Sequence, residues 1–272
     1  VKEVAPEMPQ VGVFDTAFHQ TMPDYAYMYA LPYELYENYG VRRYGFHGTS
    51  HRYITKRALE MLDMPAEGSK IITCHIGNGA SVAAVKDGKS VDTSMGMTPL
   101  AGLMMGTRSG DVDPGIFPYV MDKTGLDLQG VIDMLNKKSG VAGITGISSD
   151  MREVKAAAEE GNKRAQLSNT MNFYRIKKYI GAYAAAMNGV DAIVFTAGLG
   201  ENNPHLRELV LENMEYLGIK INEELNLNAP RGSLIDLTAE GSRVRVLVIP
   251  TDEELMIAKD TEALANKFYA AN

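Results

Sequence analysis

Residues 70–94 read KIITCHIGNGASVAAVKDGKSVDTS, and this stretch decides the fold. The apolar run from Ile71 to Cys74 predicts a buried strand, and β-branched segments follow it on both sides of the Asp87-Gly88 pair. Asn-Gly and Asp-Gly pairs are typical of tight turns, because these residues tolerate positive φ angles. The stretch therefore predicts a strand, a glycine loop, a second strand, a turn and a third short strand.

Strands and helices alternate downstream of this unit. Residues 116–137 are predicted to be mostly helical, SSDMREVKAAAEEG starts another helix with a Ser or Asp cap, and Asn162 to Met187 forms a longer helix. AIVFTAGLGENNPHLRELVLENMEYLG then predicts a strand, a glycine loop and a helix from Asn203 to Gly218. A last strand leads to a helix capped at Thr251. This alternation predicts an α/β protein with a mixed sheet flanked by helices.

Upstream of the unit, the pattern is less regular. VGVFDTAF, residues 11–18, predicts a strand that runs into a loop carrying Asp15. The segment from Met22 to Tyr44 contains many tyrosines and two prolines, which favours an irregular packed connection. A helix is predicted from Ser50, as its N-cap, to Leu62.

Composition excludes several classes of protein. The 272 residues carry a net charge of −7, which disfavours general binding to nucleic acid, and no apolar stretch of 18 residues could span a membrane. Cys74 is the only cysteine, so a disulfide scaffold and a zinc-thiolate module are excluded and a cytoplasmic location is expected. The first residues, VKEVAPEMPQ, hold no signal peptide and suggest a chain that begins partway through a longer one.

Two glycine segments follow predicted strands and are candidates for binding phosphate. In HIGNGAS, Gly77 and Gly79 let backbone N–H groups approach an anion, and His75 lies beside them; a plain tight hairpin is equally compatible with the spacing. TAGLGEN repeats the arrangement before the helix capped at Asn203. Neither segment is a Walker A loop or a dinucleotide fingerprint. Two such segments in one chain favour nucleotide binding over coincidence.

Charged residues near these segments have both structural and functional interpretations. Arg108 in GTRSGDVDPG can bind a carboxylate or phosphoryl oxygen, or can brace its loop through Asp111 or Asp113. Asp15 can serve as a base or a ligand-positioning acid, or can form an Asx-turn.

The spacing of His47 and His51 would suit a metal site on a helix, but Gly48 interrupts the pattern and no third ligand is evident. A single histidine that stabilises phosphoryl charge is the better hypothesis. Glu253 and Glu254 begin the last helix, where they suit the helix dipole and a capping box from Thr251; one of them can alternatively face Mg²⁺.

Six segments in order resemble the acetate kinase family, or acetokinase family, over nearly the whole chain. They are VFDTAFHQTMP, YGFHGTSH, HIGNGAS, DTSMGMTPLAGLMMGTRSGDVDPG, TAGLGEN and IPTDEE. The family belongs to the superfamily of acetate and sugar kinases, Hsp70 and actin, so the resemblance implies RNase H-like (actin-like ATPase) domains that close around ATP. It also implies a homodimer and a Mg²⁺- or Mn²⁺-dependent transfer of the γ-phosphoryl group of ATP to acetate, giving acetyl phosphate and ADP.

The resemblance also implies roles for individual residues. Asp15, His47 and Arg108 would be catalytic, Arg108 would also bind the carboxylate substrate, and Glu253 rather than Glu254 would hold the metal ion. The residues implied to bind ATP or ADP are His75, Ile76, Gly77, Asn78, Gly79, Asp150, Met151, Arg152, Gly198, Leu199, Gly200, Glu201 and Asn202.

Part of the family pattern is not found. Its opening strand, its Asn-, Ser- and Lys-rich phosphate loop and its upstream Arg and His have no match here, which implies that residues 1–18 end a mostly missing domain I. Residues 19–251 would then form domain II, which binds nucleotide and dimerises, and residues 252–272 a helix that returns to domain I. A propionate or butyrate kinase, an inactive nucleotide-binding fragment and, more weakly, a sugar kinase remain as alternatives.

Overall fold

A mixed six-stranded sheet forms the centre of the computed structural model, which describes Val1 and residues 3–271. The strands are β1 (Lys70–Ile76), β2 (Ala80–Lys86), β3 (Lys89–Thr93), β4 (Ala192–Thr196), β5 (Ile235–Asp236) and β6 (Arg245–Val248). Their order is β3-β2-β1-β4-β6-β5, with β1, β4 and β6 parallel and the other pairs antiparallel. This is the predicted RNase H-like arrangement, and the predicted β-loop-β-turn-β unit is confirmed.

Helices cover both faces of the sheet. They are α1 (Asp24–Tyr27), α2 (Tyr33–Tyr39), α3 (Gly48–Met61), α4 (Ile116–Thr124), α5 (Leu128–Lys137), α6 (Gly140–Thr145), α7 (Met151–Glu159), α8 (Lys163–Ala186), α9 (Ala197–Asn202), α10 (Pro204–Leu211), α11 (Glu223–Leu227) and α12 (Glu253–Ala271). Short 3₁₀ turns occupy Ala17–Thr21 and Glu215–Leu217. Among residues 1 and 3–271, we find no helix with the length and apolarity to cross a membrane.

The side-chain alternation of β1 divides the core into two layers. Ile72 and Cys74 point to the face covered by α8 and α10, whereas Ile71 points to the opposite face and packs with Ile54 and Ala58 of α3. These side chains are almost completely buried, as expected for a parallel strand at the centre of a sheet. The packing fixes the carboxyl ends of β1 and β4 side by side.

Three predicted element boundaries are wrong. Residues 11–18 form no strand: the chain is irregular up to the 3₁₀ turn, which the buried ring of His19 anchors through Ser90 Oγ and the Phe46 carbonyl. TAGLGEN is the short helix α9 rather than a glycine loop. The helix after it ends at Leu211, and Gly218 instead closes the second 3₁₀ turn.

Helix caps show which sequence signals were decisive. Asp150, Asn162 and Asn203 accept hydrogen bonds from the first turns of α7, α8 and α10. The predicted Ser or Asp cap of α7 and the predicted Asn203 cap are confirmed, whereas Asn162 was predicted only as the start of its helix. Ser50, however, lies inside α3, whose N-cap is His47 in a left-handed conformation. The cap of α12 is Asp252, which accepts from the Leu255 N–H at 2.9 Å, and not Thr251. Both predicted caps therefore have other roles.

Candidate active site

Two glycine-containing segments lie side by side where parallel strands end. Residues 77–79 follow β1, and α9 follows β4 directly. The Gly77 N–H donates to the Gly79 carbonyl at 3.1 Å and closes the first segment tightly. A β-carbon placed on Gly77 would lie 3.8 Å from that of Ala197, so the two segments are nearly in contact. The predicted phosphate-binding segments therefore share one edge of the sheet.

A cavity of about 360 Å³ opens beside these segments, a volume typical of a small-molecule site. The predicted nucleotide-binding residues that line it are Ile76, Gly77, Asn78, Asp150, Met151, Gly198 and Leu199. Further walls come from residues that the sequence did not suggest: Ala80, Met104, Met105, Gly106, Val141, Ser149, Asn172 and Ile176. In the described part of the chain, the other predicted nucleotide residues lie outside this lining: His75, Gly79, Arg152, Gly200, Glu201 and Asn202.

Close backbone contact joins the loop of Arg108 to the first glycine segment. The Gly106 N–H donates to the Asn78 carbonyl at 3.1 Å. A β-carbon on Gly106 would collide with Asn78 Oδ1, so only glycine fits there without moving the amide. Gly106 thereby sets the position of Asn78 in the cavity wall.

Internal hydrogen bonds hold the second segment. The Glu201 carboxylate accepts from the Ala197 N–H at 2.8 Å and the Thr251 N–H at 3.3 Å, which ties the ends of β4 and β6 together. The buried guanidinium of Arg207 donates to the carbonyls of Gly200 and Glu201 at 2.8 and 2.9 Å. Asn202 Nδ2 donates to the Gly198 carbonyl. These contacts brace the segment; contact of Gly200, Glu201 and Asn202 with nucleotide stays a prediction.

Asp150 and Arg152 pair at the mouth of the cavity. Asp150 caps α7 and also accepts from the Arg152 guanidinium. Hydrogen bonds from the Arg152 side chain and backbone lower the pKa of the Asp150 carboxyl to about 2. Met151, between them, is buried in the cavity wall.

His47 and Arg108 converge above Gly79. A β-carbon on Gly79 would lie 3.5 Å from His47 Nε2 and 3.6 Å from Arg108 Nη1. Arg108 donates to the Pro99 carbonyl at 3.1 Å and contacts the Met105 sulfur. The alternative in which Arg108 braces its loop through Asp111 or Asp113 is not observed among the described residues, since those carboxylates accept from Gly102 and Gly115 N–H groups. The guanidinium is therefore available to an anion.

Asp15 fixes the start of α3. Its carboxylate accepts from the His47 N–H at 2.6 Å, and its carbonyl accepts from the Gly48 N–H at 2.8 Å. These two bonds stabilise the left-handed backbone of His47, whose φ is 56°. Burial, and then the charge of Asp15, raise the pKa of the Glu253 carboxyl. An Asx-turn is thus not the role of Asp15.

The histidines form a buried cluster rather than a metal centre. His75 Nδ1 is 2.8 Å from Ser50 Oγ, and the His75 ring stacks on the His47 ring with centroids 4.1 Å apart. Both ring nitrogens of His51 are engaged by hydroxyl groups. Burial lowers the pKa of all three rings, that of His75 to about 3. In residues 1 and 3–271 no group of three or more His, Cys, Asp or Glu side chains is placed to hold a metal ion.

Sequence reasoning missed the hydroxyl groups that orient these rings. Ser81 Oγ lies 2.8 Å from both His47 Nδ1 and His51 Nε2, and Thr251 Oγ1 donates to Ser50 Oγ at 2.8 Å. The alternation of side chains along β2 offered a partial signal for Ser81, because it places Ser81 and Ala83 on the same face of the strand. Which ring each hydroxyl meets depends on the crossing of α3 over the sheet and could not be read from the sequence.

Comparison with known protein sequences points to one family. The family model described as the acetokinase family matches residues 1–259. A protein named acetate kinase from Phocaeicola vulgatus is 62% identical over 267 residues, which cover 98% of this chain and 67% of that protein.

Solved structures agree. The crystal structure of Porphyromonas gingivalis acetate kinase superposes with a TM-score of 0.93 at 55% identity, covering 96% of this chain and 65% of that one. A propionate kinase from Francisella tularensis superposes with a TM-score of 0.89 at 45% identity, covering 96% and 66%. The chain thus spans about two thirds of the length of its relatives. With nearly all of its residues matched in sequence and in fold, this chain belongs to the acetokinase family.

Proposed function

We propose that this chain carries the nucleotide-binding and phosphoryl-transferring part of an acetate kinase, which moves the γ-phosphoryl group of ATP to acetate and back. The observation that carries the proposal is the convergence of His47 Nε2 and Arg108 Nη1 above Gly79, beside a cavity of nucleotide-binding size.

The chemistry requires little covalent help from the protein. In phosphoryl transfer, charge spreads over the equatorial oxygens while nucleophile and leaving group stay in line, so catalysis consists mainly of positioning and electrostatic stabilisation. Arg108 offers a fork of donors to these oxygens, and His47 offers a ring nitrogen. The acetate nucleophile is already ionised at neutral pH, so Asp15 acts by holding His47 and the α3 start rather than as a base.

The nucleotide occupies the cavity in this proposal. Met104, Met151, Ile176 and Leu199 supply an apolar lining suited to a base, and the glycine segments lie at its polar end. Asp150 and Arg152, which pair at the mouth, would lie beside the adenosine.

A divalent cation suits the carboxylates of Asp15 and Glu253, whose charges influence each other. Mg²⁺ or Mn²⁺ typically binds one or two carboxylates together with phosphate oxygens. Burial, and then the charge of Asp15, raise the pKa of Glu253, and a cation would relieve the second of these effects. Such an ion would neutralise phosphate charge. Glu253, one residue past the Asp252 cap, would hold it, with Asp15 opposite.

Acceptor length, assembly and location are further parts of the proposal. Propionate and butyrate stay alternative acceptors, because a propionate kinase is among the similar solved structures and one methylene changes binding by only about 1–3 kcal/mol. A homodimer through residues 19–251 is supported by the exposed tyrosines of the α1–α2 segment, Tyr25, Tyr33 and Tyr39. The division at residues 18 and 251 and a cytoplasmic location also stay proposals.

Two measurements on the 272-residue chain test the function. Calorimetry with ATP and Mg²⁺ should show binding at one site, and coupled ADP release should report transfer to acetate, propionate or butyrate. Binding without turnover would favour the inactive nucleotide-binding fragment. Absence of ATP binding would contradict the proposal.

A further inference from the structure

The buried face between α3 and the sheet carries a continuous chain of hydrogen bonds that ends at His47. Thr73 Oγ1 lies 2.7 Å from His51 Nδ1, His51 Nε2 lies 2.8 Å from Ser81 Oγ, and Ser81 Oγ lies 2.8 Å from His47 Nδ1. Thr73, His51 and Ser81 are completely inaccessible to solvent. The chain connects the middle of β1 to the ring whose other nitrogen faces Arg108 above Gly79.

We propose that Thr73, His51 and Ser81 form a relay that holds His47 as the tautomer with its proton on Nε2, aimed at the transferable phosphoryl group. This inference rests on the proposed function. Its three members do not touch the substrate site themselves and act as positioning residues.

Proton counting sets the direction of the relay. Each hydroxyl has one proton, and each neutral imidazole has one N–H and one lone pair. If His51 carries its proton on Nε2, it donates to Ser81, accepts from the Thr73 hydroxyl, and leaves the Ser81 proton for His47 Nδ1. Every proton along the chain is then used, and His47 must carry its own proton on Nε2.

The opposite direction leaves a buried donor without an acceptor. With the His51 proton on Nδ1, Thr73 would have to accept it, and the Thr73 hydroxyl proton would lack a partner, since no other acceptor for it occurs among the described hydrogen bonds. A buried unsatisfied donor is costly. His47 would then donate to Ser81 and turn a lone pair towards the phosphoryl oxygens, which it would repel. The direction with the His51 proton on Nε2 is therefore favoured both by the buried hydrogen bonds and by the interaction of His47 with the phosphoryl oxygens.

The position of the ring proton matters because of the protonation state of His47. Burial, followed by the charge of Arg108, lowers the pKa of His47 against the opposing influence of Asp15, which favours the neutral ring. A neutral ring has a single proton to offer, and its position decides between a donor and an acceptor at the site. His75 is held in the same sense, because Thr251 donates to Ser50 and leaves the Ser50 proton for His75 Nδ1.

Nuclear magnetic resonance of ¹⁵N-histidine-labelled 272-residue chain tests the relay directly. Two-bond ¹H–¹⁵N correlations distinguish a protonated ring nitrogen from an unprotonated one, and single His→Gln variants assign the signals. We expect His47 and His51 each to show a proton on Nε2 only, at pH 7. A proton on Nδ1 of His47, or on both of its nitrogens, would overturn the proposal.

Matched variants separate the relay from a general packing role. Ser81→Ala should give a mixture of His47 tautomers, whereas Ser90→Ala, which removes an equally buried hydroxyl 2.8 Å from the ring of His19, should leave the His47 signals unchanged. Thr73→Val should also produce a mixture, because both directions of the relay then lack one bond. Thr55→Val is its control, since the Thr55 hydroxyl donates only to the His51 carbonyl.

Activity supplies a second readout. Where turnover is measurable, Ser81→Ala should lower kcat by about tenfold with little change in KM for ATP, less than the ~100-fold expected when a donor to the transition state is removed outright. Unchanged His47 signals in both Ser81→Ala and Thr73→Val would refute the relay. If Ser81→Ala fails to fold, Ser81→Thr replaces it; this variant keeps the hydroxyl and should give the wild-type spectrum. The spectra need no turnover, so a chain that binds no ATP would contradict the proposed function while the relay is still decided.

Discussion

Individual side chains at this site owe their properties to burial and to fixed hydrogen bonds. Arg108 is held by a carbonyl and a sulfur and keeps most of its donors for a ligand. His19, His47, His51 and His75 lie in a buried cluster, and burial lowers the pKa of each ring. The sequence predicted Arg108, His47 and Asp15 through motif resemblance. It could not predict Thr73, Ser81 or Ser50, because serine and threonine on strands and helices are common and acquire a role only from the ring placed next to them.

Replacing Arg108 tests its contact with the reacting group. Arg108→Ala should lower kcat for acetate by about 100-fold or more, and Arg108→Lys should recover only part of it because lysine lacks the planar fork. Coupled ADP-release kinetics measure both, with the exposed Arg243→Ala as the control. A rate within twofold of wild type for Arg108→Ala would remove Arg108 from the mechanism.

Acid should destabilise the fold through the buried histidines. Burial lowers the pKa of His19 to about 4 and of His75 to about 3, below the value of 6.5 that applies in the unfolded chain. The unfolded state therefore binds more protons, and the free energy of unfolding falls as the pH drops from about 6.5 towards 4, by about 1.4 kcal/mol per pH unit for each ring. Urea titrations at several pH values measure the slope. His75→Gln should make it shallower, and a slope that does not change would argue against neutral burial.

At the scale of elements, the sequence predicted those whose signals are local and consistent. The three strands of residues 70–93 and the long α8 were predicted because period, turn residues and caps agree. The strand at residues 11–18 failed because it has no partner in the described sheet, and β propensity alone does not make a strand. TAGLGEN read as a loop because of its glycines, yet Glu201, bonding back to Ala197 N–H, closes it into a helical turn.

A glycine pair tests the contact between the Arg108 loop and the first glycine segment. Gly106→Ala should displace Asn78 and weaken ATP binding, because its β-carbon would collide with the Asn78 side chain. Gly181→Ala is the control, because Gly181 lies within α8 and, among the described residues outside its own helix, a β-carbon there would meet only the Tyr216 hydroxyl, 3.9 Å away. It should leave affinity unchanged and add up to ~1 kcal/mol of stability. Calorimetry compares the two; equal affinities would show that Asn78 does not shape the nucleotide site.

At the scale of the whole molecule, residues far apart in sequence meet at one edge of the sheet. The charge of Asp15 near the start acts on Glu253 near the end, and an ion pair between Arg52 of α3 and Asp260 of α12 joins the same regions. The sequence predicted Glu253 from resemblance, but its proximity to Asp15 required the fold, because only the packing of α12 on α3 brings these segments together.

Neighbouring glutamates separate metal binding from helix capping. Glu253→Gln should lower the affinity for Mg²⁺ in the presence of ATP by about tenfold, since one carboxylate ligand is lost. Glu254→Gln is the matched control at the next position and should leave it unchanged. Titration of Mg²⁺ at fixed ATP, followed by calorimetry, measures both. If Glu254→Gln has the larger effect, the metal assignment moves to Glu254.

The single thiol of Cys74 lies in β1 on the face of the sheet that α8 covers, and the loop that begins at Gly77 follows this strand. Burial raises its pKa, so it is both shielded and protonated in the folded chain. An alkylating reagent can react with it only while the central strand is transiently detached. The labelling rate of Cys74 thus measures how often the sheet opens. ATP bound against the segments after β1 and β4 should slow this labelling in proportion to nucleotide occupancy.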